Sequence, residues 1–478
     1  MALLNIIVSK PATAAASKLL RNKTIRNYLT KKVKESAYDS LINKNPDNKP
    51  LETERRIYNL LSYLLEKFNR NIGLNIISDS FIRRSYRNFI GNVLLKENTA
   101  YKNFKKKHGS NAPSFLVISP TMRCNLKCIG CYASSDSKSA ASISYELFDK
   151  IMDDKVKNWG SYFTVISGGE PMLWKDGDKS IFDIFEKYND NFFLVYTNGT
   201  LISKEVAKRM ADLGNVTPAI SVEGFEKETD ARRGKGIHAK IMRAFENLRE
   251  AGVPFGISVT ITRQNVETIA SDAFMDFYFN AQKAIYGWIF QYMPIGREFT
   301  HELMITPEQR KWLFQKEEEL FKKYRVFFPD FWNSGYLSEG CIAGGRDGGY
   351  LYIDWNGDIM PCVFFPYKFE NVYNLYKNGK NLTDAIMQPF PSDIRKWQEG
   401  YGFRHKPDAV QNQITPCIYR DHHSVAYNLI KKHGAQPQDA AAKAALDDPE
   451  YHKRFEEYDK KISELLDPIW KKEFIDKD

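Results

Sequence analysis

Pro120-Thr121-Met122-Arg123-Cys124-Asn125-Leu126-Lys127-Cys128-Ile129-Gly130-Cys131-Tyr132 holds three of the chain's six cysteines within eight residues. The spacing is C-x3-C-x2-C. It directly follows Phe115–Ser119, an apolar run that reads as a β-strand. Three close thiolates suit a soft metal centre. They can hold three irons of a cubane cluster and leave the fourth open, which a reaction needs if a small molecule is to ligate the metal. A structural zinc with a distant fourth ligand is the alternative, although zinc sites commonly pair their cysteines as C-x2-C, twice.

Outward from this stretch, short apolar runs alternate with longer amphipathic ones. Phe163–Ser167, Phe192–Thr197, Pro218–Val222, Gly256–Thr262 and Trp288–Met293 read as further strands. Helical patterns lie between them, such as Lys240–Ala251 with Ile241, Phe245 and Leu248 on one face. Six strands separated by helices predict a parallel α/β fold with right-handed crossovers, whose chemistry sits at the carboxyl ends of the strands. Four more motifs fall at such ends: Gly168-Gly169-Glu170-Pro171, Thr197-Asn198-Gly199, Ser221-Val222-Glu223-Gly224 and Arg232-Arg233-Gly234-Lys235-Gly236. Each alone has a plain reading, as a glycine turn, an Asn-Gly turn or a solvated charge run.

Together and in this order, over about residues 113–300, they resemble the radical S-adenosylmethionine (SAM) superfamily. The resemblance implies a partial (βα)6 barrel and an enzyme carrying a 4Fe–4S cluster on Cys124, Cys128 and Cys131. It implies SAM contacts at Tyr132 (backbone to adenine), Gly168, Gly169 and Glu170 (amino group), Thr197 and Asn198, Ser221 and Glu223 (ribose and carboxylate), and Arg233 (carboxylate). One electron from a reduced flavodoxin or ferredoxin would cleave SAM to methionine and a 5′-deoxyadenosyl radical, which abstracts hydrogen from a substrate. No residue is singled out as a catalytic acid, base or radical carrier.

The other cysteines are Cys341, Cys362 and Cys417. Cys341 and Cys362 bracket Gly357 as C-x15-G-x4-C, which resembles the opening of SPASM/twitch auxiliary-cluster domains. Between them, Tyr350–Asp354 and Asn356-Gly357-Asp358 suggest a hairpin turning at Asn-Gly, which would bring the two cysteines together. A full SPASM pattern has seven cysteines, so two complete auxiliary clusters are excluded. One further iron–sulfur cluster on these three remains, with an open iron or a fourth ligand such as His422 or His423; ordinary buried cysteines are the alternative.

Charge is unevenly placed. Residues 1–107 carry 22 Lys+Arg against 8 Asp+Glu, a balance of +14, so the remainder of this +10 chain sums to −4. Leu19, Leu20, Ile25, Tyr28 and Leu29 among Lys18, Arg21, Lys23 and Arg26 suggest an amphipathic surface helix or a presequence of mitochondrial type. Asn45–Pro50 reads as a break, Leu51–Phe68 as a helix and Lys102–His108 as a charged linker. No apolar run is long enough to span a membrane, and the start lacks a secretory core.

The expected organisation is a basic helical region (1–112), a radical SAM core (113–300), a small irregular α+β cluster domain (301–425) and a charged helical tail (426–478). The expected place is the cytoplasm, peripheral to an anionic membrane, with a lipid substrate. A SPASM-type peptide maturase and a non-catalytic metal-cluster protein are the alternatives. RNA is disfavoured because no aromatic platform interleaves the basic arm.

Overall fold

The chain is seen in a computed structural model that describes residues 13–46, 48–85, 88, 92 and 98–476, with side chains from Ser17 onward. Six parallel strands form in chain order: β1 (Phe115–Ile118), β2 (Phe163–Ile166), β3 (Phe192–Thr197), β4 (Val216–Val222), β5 (Gly256–Ile261) and β6 (Tyr286–Gln291). All six match the expected runs to within two residues at either end. Their apolar content is nearly continuous because both faces are covered. One parity, including Leu116, Ile118, Ile166, Val195 and Ile257, packs beneath the crossover helices. The other, including Val117, Val165, Leu194 and Ala219, faces the inside of the curved sheet.

The sheet does not stop at six strands. β7 (Tyr350–Ile353) joins the free edge of β1 in parallel, from Phe115↔Tyr350 to Ile118↔Ile353. β8 (Asp358–Met360) turns back antiparallel on β7, and β9 (Glu370–Asn371) closes a nine-stranded sheet of order β9-β8-β7-β1-β2-β3-β4-β5-β6. The expected hairpin is present, but its turn is not built on Asn-Gly alone. Only Gly357 takes a positive φ (+76°), while the Asp354 carboxylate accepts the N–H groups of Asn356 and Asp358. An Asx turn therefore leads into a left-handed glycine.

The N-terminal region closes the opposite end of the barrel. The short helix Thr13–Arg21 with helices α1 (Lys23–Tyr38) and α2 (Leu51–Gly73) packs Leu20, Leu29 and Ile72 against Phe192 and Ile285, where β3 begins and β6 is about to begin. The apolar side expected to lie on a surface is thus largely spent on the barrel, and Arg26 is buried, donating to the carbonyls of Leu20 and Arg21. Residues 1–12 of the expected presequence lie outside the described residues. Lys102–His108 is a helix rather than a linker: Asn98 caps Thr99–His108, Phe104 anchors it, and left-handed Gly109 ends it. No helix among the described residues is long and apolar enough to cross a membrane.

Two distant segments meet at Arg56 of α2. Its guanidinium pairs with Glu52, with Glu318 of α3 (Pro307–Tyr324) and with Glu473, and lies 4.2 Å from the Phe474 ring centre. Burial opposes its charge, but the carboxylates outweigh that and hold its pKa above the usual arginine value. The expected helical tail is present as α4 (Pro449–Trp470), which buries Tyr451, Phe455, Ile462 and Leu466.

Candidate active site

The first cysteine loop leaves β1 and is held from every side. Cys124 N–H donates to the Asp136 carbonyl (3.0 Å), and the Asn198 amide approaches Cys124 Sγ at 3.9 Å. Ile129 N–H donates to the Arg232 carbonyl, and Arg232 returns a bond to the Gly130 carbonyl. Arg297 closes the loop through the carbonyls of Cys128 (2.9 Å), Ser134 (3.0 Å) and Ser135 (2.6 Å). Nothing in the sequence marks Arg297 beyond its place in Pro294-Ile295-Gly296-Arg297, after the last barrel strand.

Gly168 and Gly169 serve the same loop. Gly169 N–H and Glu170 N–H donate to the carbonyls of Thr121 and Arg123. A Cβ at Gly169 would stand 2.2 Å from the Arg123 oxygen and 2.6 Å from that of Met122. Gly169→Ala is therefore expected to displace the cysteine loop at a cost of about 1–3 kcal/mol and to lower bound iron per chain. Gly400→Ala, in a helix with nothing within 4 Å, is the control and should bind iron like the parent. Iron analysis of the purified variants checks both.

Glu170 and Glu223 stand behind the wall. Glu170 is fully buried and accepts from Thr197 Oγ1 (2.7 Å), Asn198 N–H (2.8 Å) and Met172 N–H (3.1 Å). Burial raises its pKa against the pull of these bonds. Glu223 accepts from Arg232 (2.6 Å) and from Nε and Nη2 of Arg233 (2.8 and 2.5 Å). The other residues expected at SAM, namely Tyr132, Gly168, Gly169, Thr197, Asn198, Ser221 and Arg233, line one cavity of about 580 Å³. The Tyr132 hydroxyl accepts the Gly168 N–H (3.0 Å).

All six cysteines line that cavity. Beside the first triplet its wall is polar, with Ser167, Asn198, Ser221, Arg232 and Arg233. Elsewhere it is mostly apolar, with Val117, Val165, Leu194, Trp288, Phe290 and Phe364, interrupted by Ser258, Thr260, Gln291 and Asp330. Ile57, Leu60 and Leu61 of α2 reach it from the N-terminal region, a contribution that sequence reasoning missed. Burial pushes the Cys124 thiol up to about 12, with Glu170, Cys128 and Cys131 adding repulsion. Cys128 is also raised by burial, against the opposing charges of Arg233 and Arg232. Thiols buried like those of Cys124 and Cys128 keep their protons until a cation displaces them.

The second triplet is brought together from three segments. Cys362 Sγ lies 2.8 Å from the Tyr350 hydroxyl, and Arg346 holds the Cys341 carbonyl (2.6 Å). Burial raises the pKa of Cys417 well above the usual thiol range, with Asp421, Cys341 and Cys362 all adding to the rise. Cys417 N–H donates to Asp421 Oδ2 (3.1 Å), and Arg310 grips Asp421 with both Nη atoms. The two histidines expected as fourth ligands are turned to other partners. His422 uses Nε2 on the Thr415 carbonyl, His423 uses both ring nitrogens on Tyr419 and His452, and neither lines the cavity.

His423 and His301 carry a pH dependence. Burial lowers each to about 4, while the unfolded chain takes up these protons near 6.5. The unfolded state then binds more protons, so this stability is complete above pH 6.5 and is lost as pH falls toward 4, by about 3 kcal/mol per histidine at most. Thermal melts between pH 7.5 and 4.5 should show the fall, and His423→Gln should flatten it.

The radical SAM superfamily model matches residues 118–275. The mycofactocin maturase MftC of Mycolicibacterium smegmatis is 30% identical over 313 residues, covering 62% of this chain and 73% of the relative. The chain belongs to the radical SAM superfamily. An AdoMet-dependent heme synthase of Methanosarcina barkeri is 26% identical over 343 residues, covering 65% of this chain and 90% of that one. Among solved structures, Streptococcus suis SuiB bound to precursor peptide SuiA shares the fold, with a TM-score of 0.52 and 20% identity over 72% of this chain and 79% of SuiB. As a radical SAM enzyme, the protein uses a 4Fe–4S cluster and SAM, and the zinc and non-catalytic alternatives fall away.

Proposed function

We propose that Cys124, Cys128 and Cys131 hold the SAM-cleaving cluster, and that the 5′-deoxyadenosyl radical takes a hydrogen atom from an apolar side chain of a peptide lodged in the cavity. Tyr132, Gly168, Gly169, Thr197, Asn198, Ser221 and Arg233 bind SAM at the polar end, while Glu170 and Glu223 hold those residues in place. Cys341, Cys362 and Cys417 carry a second cluster facing the same space. The observation that carries the reading is that both cysteine triplets open onto one cavity, polar beside the first and mostly apolar beyond it. Such a chamber binds a charged cofactor at one end and shelters a radical from water at the other. A maturase relative and the precursor peptide on SuiB support a peptide substrate.

A lipid chain is the second reading. It is favoured by apolar lining that runs to Phe115 and Phe163, where β1 and β2 begin, and on to α2, and by the basic balance of residues 1–107. The test adds peptide and lipid extracts of the native cell to reconstituted enzyme, SAM and dithionite. The peptide reading expects 5′-deoxyadenosine above the uncoupled yield from the peptide fraction, abolished by prior protease treatment. Stimulation by the lipid extract that survives protease would replace the peptide with a lipid and leave the radical chemistry standing.

A further inference from the structure

The two cysteine triplets differ in what reaches their sulfurs. At Cys124 the donors are the Leu126 N–H (3.4 Å) and the Asn198 amide (3.9 Å), and among the described residues no hydroxyl bonds a sulfur of the first triplet. At Cys362 a phenol does. The Tyr350 oxygen lies 2.8 Å from Cys362 Sγ, beside the Phe364 N–H at 3.4 Å. That oxygen also accepts the Val363 N–H (3.4 Å), which leaves its own hydrogen for the sulfur.

The phenol is held in place by its packing. Tyr350 on β7 stands level with Phe115 on β1, and the two rings stack with centres 5.0 Å apart and planes 11° from parallel. Tyr350 is buried, in an apolar cluster with Val117, Val165, Met360 and Val363. A phenol keeps its proton at neutral pH, whereas a cysteine that holds iron is a thiolate and can only accept. Tyr350 is therefore the donor once Cys362 is a ligand. In so apolar a setting a hydrogen bond to a charged sulfur is stronger than it would be in water. Arg346 acts in the same direction from the Cys341 side. Its buried guanidinium donates to the Cys341 carbonyl (2.6 Å) and enters no ion pair among the described residues. The acids of its own loop, Asp347 and Glu339, are paired with Arg404 and Lys49.

We propose that Tyr350 is a positioning residue whose hydroxyl donates to the Cys362 thiolate and raises the reduction potential of the second cluster. The proposal rests on the assignment of that cluster to Cys341, Cys362 and Cys417. Reduction by one electron takes a 4Fe–4S core from its 2+ to its 1+ state and adds negative charge to its thiolates. A hydrogen bond to sulfur stabilises the more negative form more, so the equilibrium moves toward it. The proton stays on the phenol oxygen throughout, and no bond to it breaks. An electron released in the chamber is taken up more readily as a result.

The test is an anaerobic redox titration of the reconstituted protein with dithionite and mediators, read by electron paramagnetic resonance. A variant carrying Cys341→Ala, Cys362→Ala and Cys417→Ala identifies the signal that belongs to the second cluster. Tyr350→Phe keeps the ring and its stacking and removes only the oxygen. It should shift the reduction equilibrium of the second cluster about tenfold toward the oxidised form, equivalent to a potential about 59 mV lower for one electron. The first cluster should stay at the parent potential. A solvent-exchangeable proton coupled to the reduced second cluster in the parent should be missing from Tyr350→Phe. Tyr352→Phe, on the same strand but with its hydroxyl on Ser119 Oγ (2.9 Å), should leave the second cluster at its parent potential. An unchanged potential in Tyr350→Phe with both clusters loaded would overturn the proposal. So would an equal fall in Tyr352→Phe, which would trace the effect to strand packing. Loss of iron from Tyr350→Phe would also overturn it, making the hydroxyl a condition for holding the cluster. A parent with one cluster's worth of iron, unaffected by the three cysteine replacements, would instead overturn the second-cluster assignment and the proposal with it.

Discussion

Cys124→Ala, Cys128→Ala and Cys131→Ala should each lower 5′-deoxyadenosine formation on the order of 10³-fold or more, equivalent to about 4 kcal/mol in the barrier. The reason is geometric. A cubane held by three thiolates has one iron to offer SAM, and losing a thiolate removes a ligand that no neighbour replaces. The loop supplies no spare donor: its other contacts are carbonyls engaged by Arg232, Arg297 and the backbone of Gly169 and Glu170. The fold should persist in these variants, because the loop is tied to the barrel by those bonds rather than by the cysteines. Circular dichroism near the parent, together with lost absorbance near 400 nm, would show that the defect lies in the cluster. A variant that kept parent-level cleavage would remove the loop from the chemistry.

Arg310→Met should be the most damaging single change for stability, by about 3–5 kcal/mol. Arg310 and Asp421 are both wholly inaccessible. Burial alone would raise the Asp421 pKa, but Arg310 overrides it and holds the carboxylate below its usual value. Methionine fills the volume and leaves Asp421 buried and uncompensated. The Arg310 bonds to Asn333 and to the Ile414 carbonyl also disappear. Because Asp421 accepts the Cys417 N–H, the loss should reach the second triplet and lower iron retention there first. Adding Asp421→Asn should recover a large part of the stability, so that the double variant is less damaged than the single ones predict. Chemical denaturation of all three variants measures this.

The sequence made the barrel legible because its strands are apolar on both faces and four of the five motifs sit at or just past a strand end; the Arg232–Gly236 segment, expected at such an end, instead closes the helix Glu226–Arg233. What it could not reveal depended on pairs far apart in the chain. Arg310 and Asp421 are separated by 111 residues, and Arg56 and Glu473 by 417, so neither member announces its partner. Leu60 and Leu61 belonged to a helix that was legible, but helical spacing does not say which surface its apolar face will cover. Glu170 and Glu223 stand out in the motifs, yet the sequence does not distinguish a side chain that reaches a cofactor from one that holds its neighbours. Lys102–His108 reads as a linker because its charged composition masks the caps at Asn98 and Gly109 and the anchor at Phe104.

The pairing of β7 with β1 also bears on how such enzymes can be recombined. Tyr350 and Tyr352 point inward because they stand level with Phe115 and Val117, and the Tyr352 hydroxyl reaches Ser119 Oγ (2.9 Å). A chimera that grafted the segment after residue 300 from another radical SAM protein would have to preserve that alignment. A one-residue slip would turn both tyrosines outward and bring Leu351 and Ile353 into the chamber. It would also part Tyr350 from Cys362. The unit of exchange is thus the seam between the two strands, and a graft that ignores it would scramble the second triplet while leaving every cysteine in place.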